Sequence, residues 1–157
     1  MEKMTWCMKK KGGIRRAEPS DNLCREYIGN AEESLRILDR IKDTGSRMWL
    51  ATTKYYSEYF AFYALLMKLG IKCEIHDCTI ELARRLEEKG FIPGGTAKRL
   101  DDDKELRIEN QYYLKNRPVE IDMEALREFV LSMKAAADRM SKEDVSKMRS
   151  ELFGRIR

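Results

Sequence analysis

The stretch from Tyr55 to Met67 constrains this chain more than any other. Placed on a helix, its aromatic and aliphatic side chains cover most of the circumference, and a helix apolar nearly all round is buried on more than one side. Such a helix is either central to a bundle or part of an oligomer interface. It cannot span a bilayer, which needs about 20 apolar residues, so no membrane association is expected. Ser46 is placed to cap its start and Gly70 to end it.

The flanking sequence repeats the helical pattern. Pro19-Ser20-Asp21 opens a helix on which Leu23, Tyr27, Ala31, Leu35 (or Ser34), Leu38 and Ile41 recur at three- and four-residue spacing, and Gly45 closes it. After Gly70, a third helix is expected from His76-Asp77, with Asp77 as its cap and Ile80, Ala83 and Leu86 on one face. Gly90 to Gly95 reads as a loop. A fourth helix is expected to begin near Asp101-Asp102-Asp103, where carboxylates favour the positive end of the helix dipole, and to run through Arg107 to Lys115. Asn116-Arg117-Pro118 breaks it. Met123, Leu126, Val130, Met133, Ala137 and Met140 form the stripe of a fifth helix. Ser141 and Asp144 restart the pattern for a sixth, on which Val145, Met148, Leu152 and Ile156 share a face. No segment alternates with period two, so strands are not expected. The expectation is an all-α, antiparallel up-and-down bundle over residues 1–140, with an additional C-terminal helix over 141–157 packed on or extending it.

Composition agrees. Of 157 residues, 43% are hydrophobic and 37% charged, with only three prolines, the balance of a single helical domain with charged outer faces. The net charge of +4, from 31 basic and 27 acidic residues, permits attraction to nucleic acid without demanding it. The densest basic cluster, Lys9-Lys10-Lys11 with Arg15-Arg16, is either a phosphate-contacting patch or a solvated arm. Cys7, Cys24, Cys73 and Cys78 are too few and too scattered for a disulfide framework. With no apolar leader segment near Met1, a cytoplasmic protein with free, buried thiols is expected. Cys73, His76 and Cys78 read as C-x-x-H-x-C, but a fourth ligand is lacking, so neither metal nor cofactor is expected.

Taken in order, Trp6, Gly13-Ile14, Pro19, Tyr27, Ala31, Ser34-Leu35, Tyr55-Tyr56, Phe60, Ala64-Leu65-Leu66, Gly70-Ile71, His76, Arg107 and Tyr112-Tyr113 resemble the HEPN family of small prokaryotic all-helical proteins. The resemblance covers roughly Trp6 to Met140. It implies a homodimer joined through the middle helices, and in many members a partnership with a small nucleotidyltransferase. It also implies RNA or nucleotide binding, with metal-independent ribonuclease activity in toxin-like members. The family motif is an arginine, four to six residues, a histidine and often a tyrosine two positions later. A histidine titrates near neutrality and can exchange a proton with a ribose hydroxyl or leaving oxygen. An arginine fork holds the phosphate and stabilises its charge.

This chain departs from that motif. Leu69, Gly70 and Ile71 occupy the arginine's positions, and Cys78 stands in place of the tyrosine. Two functions therefore stay open: a binding module for RNA, a nucleotide or a nucleotidyltransferase partner, and an endoribonuclease. In the second, His76 would be the general acid or base, with Lys72, or Lys54 from elsewhere, as the phosphate cation. Lys54, Asp77 and Arg107 are the candidate binding residues.

Overall fold

A computed structural model describes residues 2–154. The chain folds into α1 (Lys3–Lys9), β1 (Arg15–Arg16), α2 (Asp21–Ile41), α3 (Arg47–Leu69), β2 (Ile71–Lys72), α4 (His76–Glu88), α5 (Thr96–Gln111), α6 (Met123–Arg139) and α7 (Lys142–Phe153). It is an all-α bundle. None of its described helices is long and apolar enough to cross a membrane.

The apolar run does what its circumference requires. α3 packs against α2 along much of its length and also meets α5, α6 and α7, and Tyr55, Phe62, Leu65, Leu66 and Leu69 are almost wholly buried. Most of its apolar surface is thus consumed within the chain, while Trp49 in its first turn stays 57% exposed. The Ser46 hydroxyl accepts from Trp49 N, and Gly70 ends the helix in the left-handed conformation at φ +69°. α2 begins with the Ser20 hydroxyl accepting from Leu23 N. Its inner face is Cys24, Ile28, Ala31, Leu35 and Leu38. Leu23, expected inside, is 42% exposed.

At the other end of the chain, Ser141 and Asp144 form a reciprocal capping box that starts α7. Met148 reaches the core, and Arg149 Nη1 donates to the carbonyls of Ala17, Leu69 and Gly70 at 3.1, 2.8 and 2.7 Å. One guanidinium thereby satisfies the Leu69 carbonyl at the end of α3 and joins it to the Gly70 and Ala17 carbonyls, which ties the last helix to the bundle. Ile156 lies outside the described residues.

Several sequence expectations are corrected. A short antiparallel pair exists, Arg15 opposite Lys72 and Arg16 opposite Ile71. The first segment contains a helix, α1, packed on α4. α5 begins at Thr96, so Asp101, Asp102 and Asp103 stand inside it rather than at its start. Its early N–H group at Ala97 is capped by the Glu87 carboxylate of α4. α5 also stops at Gln111, before the expected Lys115.

The largest correction concerns the thiols. Cys7 and Cys78 form a disulfide between α1 and the first turn of α4, with Cα atoms 5.6 Å apart. Cys24 and Cys73 are free and buried, as expected. The bridge is buried, and it commits the sulfur that the C-x-x-H-x-C reading needed.

Candidate functional site around His76 and Arg107

β2 leads through Cys73-Glu74-Ile75 into α4, so His76 opens that helix beside the middle of α3. Asp77 does not cap it: the N-cap position is Ile75 and no side chain closes the turn. Asp77 instead binds the Lys104 ammonium of α5, which also reaches Asp101 at 3.3 Å.

The imidazole lies on tyrosines that α3 presents one turn apart. It stacks on Tyr59 with centroids 4.3 Å apart and planes 13° apart. Tyr56 meets it edge-on at 6.3 Å. The Tyr55 hydroxyl is 2.7 Å from Nδ1. Burial raises the Tyr55 pKa, so the phenol keeps its proton, and Nδ1 is the phenol's partner among the described residues. The arrangement that satisfies this proton has Tyr55 donating to Nδ1, which leaves the imidazole's own proton on Nε2. Nε2 makes no hydrogen bond among the described residues and is not one of the buried unpartnered atoms, so it is open to solvent.

Burial, followed by the positive charges of Arg107 and Lys104, lowers the His76 pKa to about 4; Asp77 opposes the shift. The ring is therefore neutral at physiological pH. Arg107 comes from α5. Its guanidinium lies over the rings of Tyr55 and Tyr56, 5.2 and 5.4 Å from their centroids, and Nη1 donates to the Tyr56 hydroxyl at 3.3 Å. No carboxylate pairs with it among the described residues, and its buried Nε has no partner. A guanidinium held this way, with its charge uncompensated beside a neutral imidazole, suits an anion with several acceptor oxygens.

Behind this surface, α3 and α5 share a buried polar pair that the sequence reading missed. Glu58 is fully buried and receives Arg99 Nε at 2.5 Å. Burial and the adjacent Asp103 carboxyl raise its pKa well above the ordinary carboxylate range. One oxygen of each carboxyl, Glu58 Oε1 and Asp103 Oδ2, is buried without a partner. The raised pKa favours a proton on Glu58, the neutral form of a carboxyl that is buried beside another carboxyl. Lys54, a predicted binding residue, is occupied here, 3.3 Å from Asp103 Oδ1.

Of the sequence candidates, His76, Asp77 and Arg107 therefore come together, with Lys104 as an unforeseen fourth member. Lys72 lies exposed in β2 opposite Arg15 and has no ion pair among the described residues. Of the N-terminal basic cluster, Arg15 is tied to Glu74 at 2.7 Å and Arg16 lies over the Phe153 ring. The tyrosine floor was signalled by phenols spaced along an otherwise apolar helix. Tyr59 and Tyr63 use their hydroxyls internally too, on Thr79 and on the Cys73 backbone.

The chain matches no protein-family model and no curated protein.

Proposed function

We propose that this chain is a HEPN-like helical module that binds a phosphate-bearing ligand, RNA or a nucleotide, at the surface formed by His76 and Arg107. A nucleotidyltransferase is the protein partner that fits the same reading. The observation that carries the proposal is the unpaired Arg107 guanidinium lying on the tyrosine floor beside a neutral histidine. Arg107 supplies charge and the Nε2–H group of His76 supplies a neutral donor, while the Lys104 ammonium is taken up by Asp77, Asp101 and Glu105. A histidine with so low a proton affinity is a weak base, which puts binding ahead of catalysis.

A second reading, metal-independent endoribonuclease, is favoured by one specific feature. Arg107 brings to His76, from a different helix, the guanidinium that the linear motif lacks at Leu69, Gly70 and Ile71. In that reading Arg107, rather than Lys72, is the phosphate cation.

The two readings part in one assay. The protein and its His76→Ala variant are incubated with single-stranded RNA in the presence of a chelator, and both cleavage and retention on a filter are followed. The binding module retains RNA without cutting it, and retention falls about tenfold or more in the variant, as loss of one charge-assisted phosphate contact implies. Cleavage that resists chelator, leaves 2′,3′-cyclic phosphate ends and disappears in the variant would instead establish the nuclease.

The module is also proposed to act as a homodimer. The second half of α3 is buried within the chain, but its first turns leave apolar side chains uncovered, and the surface that fits a second copy is the groove they form with α2. This groove has a volume of about 640 Å³ and is lined by Ile37, Ile41, Trp49, Tyr56 and Phe60. Ile37 and Trp49 are 49% and 57% exposed, an apolar surface of the kind that marks an interaction site. Light scattering is expected to give twice the 18.5 kDa chain mass. A Trp49→Glu variant should read as a monomer, and a wild-type monomer at micromolar concentration would remove the dimer.

A further inference from the structure

α5 ends at Gln111, and the next residues leave it in an unusual way. Leu114 and Asn116 both adopt positive φ, 51° and 54°. Left-handed backbone is unfavourable for residues with a Cβ, and most of all for a branched apolar one such as leucine. The surrounding structure holds them there. The buried Asn110 side chain donates to the Arg117 carbonyl at 3.1 Å and accepts from Arg117 N at 2.6 Å. Lys115 N bonds the Glu109 carbonyl at 3.0 Å, and the Arg47 guanidinium of α3 clasps the Asn116 carbonyl. This clamp keeps Tyr112, Tyr113 and Leu114 in solvent, 64%, 68% and 77% exposed. Backbone strain maintained in order to expose large side chains points to a ligand for them.

The charges around the knuckle select among ligands. Arg47 spends its hydrogen bond on a carbonyl, and Lys115 has no carboxylate partner among the described residues, so both keep their charge uncompensated. Arg117 is balanced by Glu109 at 2.6 Å. Tyr112, the C-cap of α5, follows Arg107 by five residues, about 7.5 Å along the helix axis and about 140° round it. Flat rings interleaved with cations, at the end of the helix that carries an unpaired arginine, are the chemistry of a surface for unpaired nucleotides: stacking for the bases, charge for the backbone. A duplex offers no free base faces to such rings.

We propose that Tyr112 and Tyr113 form a base-stacking subsite, on which single-stranded RNA lays its bases while its phosphates continue to Arg107 and His76. The inference rests on the reading of His76 and Arg107 as a phosphate-binding surface and adds where the bases go.

The test is fluorescence anisotropy with the full chain and an uncleavable 2′-O-methyl oligo(U) of about 12 nucleotides, a length within the span such surfaces cover. The double variant Tyr112→Ala/Tyr113→Ala is expected to bind at least about tenfold more weakly, while Tyr112→Phe/Tyr113→Phe, which keeps the rings, binds like wild type. A duplex of the same length should bind weakly and be indifferent to both. Both residues are exposed, and unchanged circular dichroism confirms that the variants fold. If the alanine pair binds oligo(U) as wild type does while Arg107→Ala loses it, the subsite is refuted and the phosphate surface stands. If wild type does not bind oligo(U), both fall. If the alanine pair leaves RNA binding intact but changes the mass by light scattering, the knuckle is a protein contact and the proposal is overturned.

Discussion

Reducing the Cys7–Cys78 bridge lowers the free energy of unfolding by roughly 4 kcal/mol at 25 °C. The two cysteines are 71 residues apart, and in the chain-entropy account a loop of that length removes about 4 kcal/mol of freedom from the unfolded chain. The folded state has other ties across the same junction. Ile14 N donates to the Cys7 carbonyl and Glu74 N to the Gly12 carbonyl, both at 2.8 Å, and β1 remains paired with β2. The loss therefore falls mainly on the unfolded side of the equilibrium. Reduced protein should keep its helical circular dichroism and unfold at lower urea, with Cys7→Ser/Cys78→Ser reproducing the shift in the absence of reductant. A shift below about 1 kcal/mol would contradict the chain-entropy account of the bridge. The half of the bridge at Cys78 lies in the turn that carries His76, so oxidation also steadies the base of the candidate site.

Gly70→Ala is expected to cost about 2–5 kcal/mol, from left-handed backbone strain of roughly 1–2 kcal/mol and overpacking of roughly 1–3 kcal/mol. Gly70 has φ +69°, and an added Cβ would stand 2.6 Å from the Ala17 carbonyl oxygen, 2.7 Å from Pro19 N and 2.3 Å from Arg149 Nη1. The arginine can move; the backbone cannot do so cheaply, because Ala17 N donates to the Gly70 carbonyl and Ser20 N to the Met67 carbonyl at 2.9 Å each. Gly45 is the control. It has φ +74° but open space around it, so Gly45→Ala should show only the left-handed backbone cost of roughly 1–2 kcal/mol. Urea unfolding of the two variants separates these terms. Equal destabilisation would show that the junction of α3, α7 and residues 17–19 is looser than described.

What the sequence disclosed was mostly local. Ser20, Ser46 and the Ser141–Asp144 pair cap helices with their own side chains, and Gly70 ends one with its own backbone, so each signal lies beside its effect. The central place of α3 was legible because a helix without a polar face has nowhere else to go. Where a partner came from far along the chain, the local signal misled. Asp101-Asp102-Asp103 imitate a helix start, but the cap of α5 is Glu87, supplied by α4. Asp77 looks like a cap and is an ion-pair partner of Lys104. Cys7 and Cys78 carry no spacing that announces their pairing; α1 has to pack on α4 before they meet. The same holds for the site. The expectation sought an arginine at Leu69, Gly70 or Ile71 and turned to Lys72 or Lys54 in its place, whereas the cation sharing the tyrosine floor of His76, Arg107, arrives on another helix. Arg107 itself was singled out only through the family resemblance.

His76 is the chain's only histidine, so its imidazole proton resonances need no assignment strategy and report the site directly. The folded pKa of about 4 lies below the ordinary histidine value of 6.5. As pH falls below about 6.5 the unfolded chain takes up this proton first, so the stability contributed by the neutral ring is present above that pH and lost towards about pH 4. The decisive measurement is an NMR pH titration of His76, alone and with the uncleavable oligo(U). The account predicts a midpoint near 4 in the free protein, moving upward when the bound phosphate offsets the charge of Arg107. A midpoint near 6.5 that the oligonucleotide leaves unchanged would contradict it.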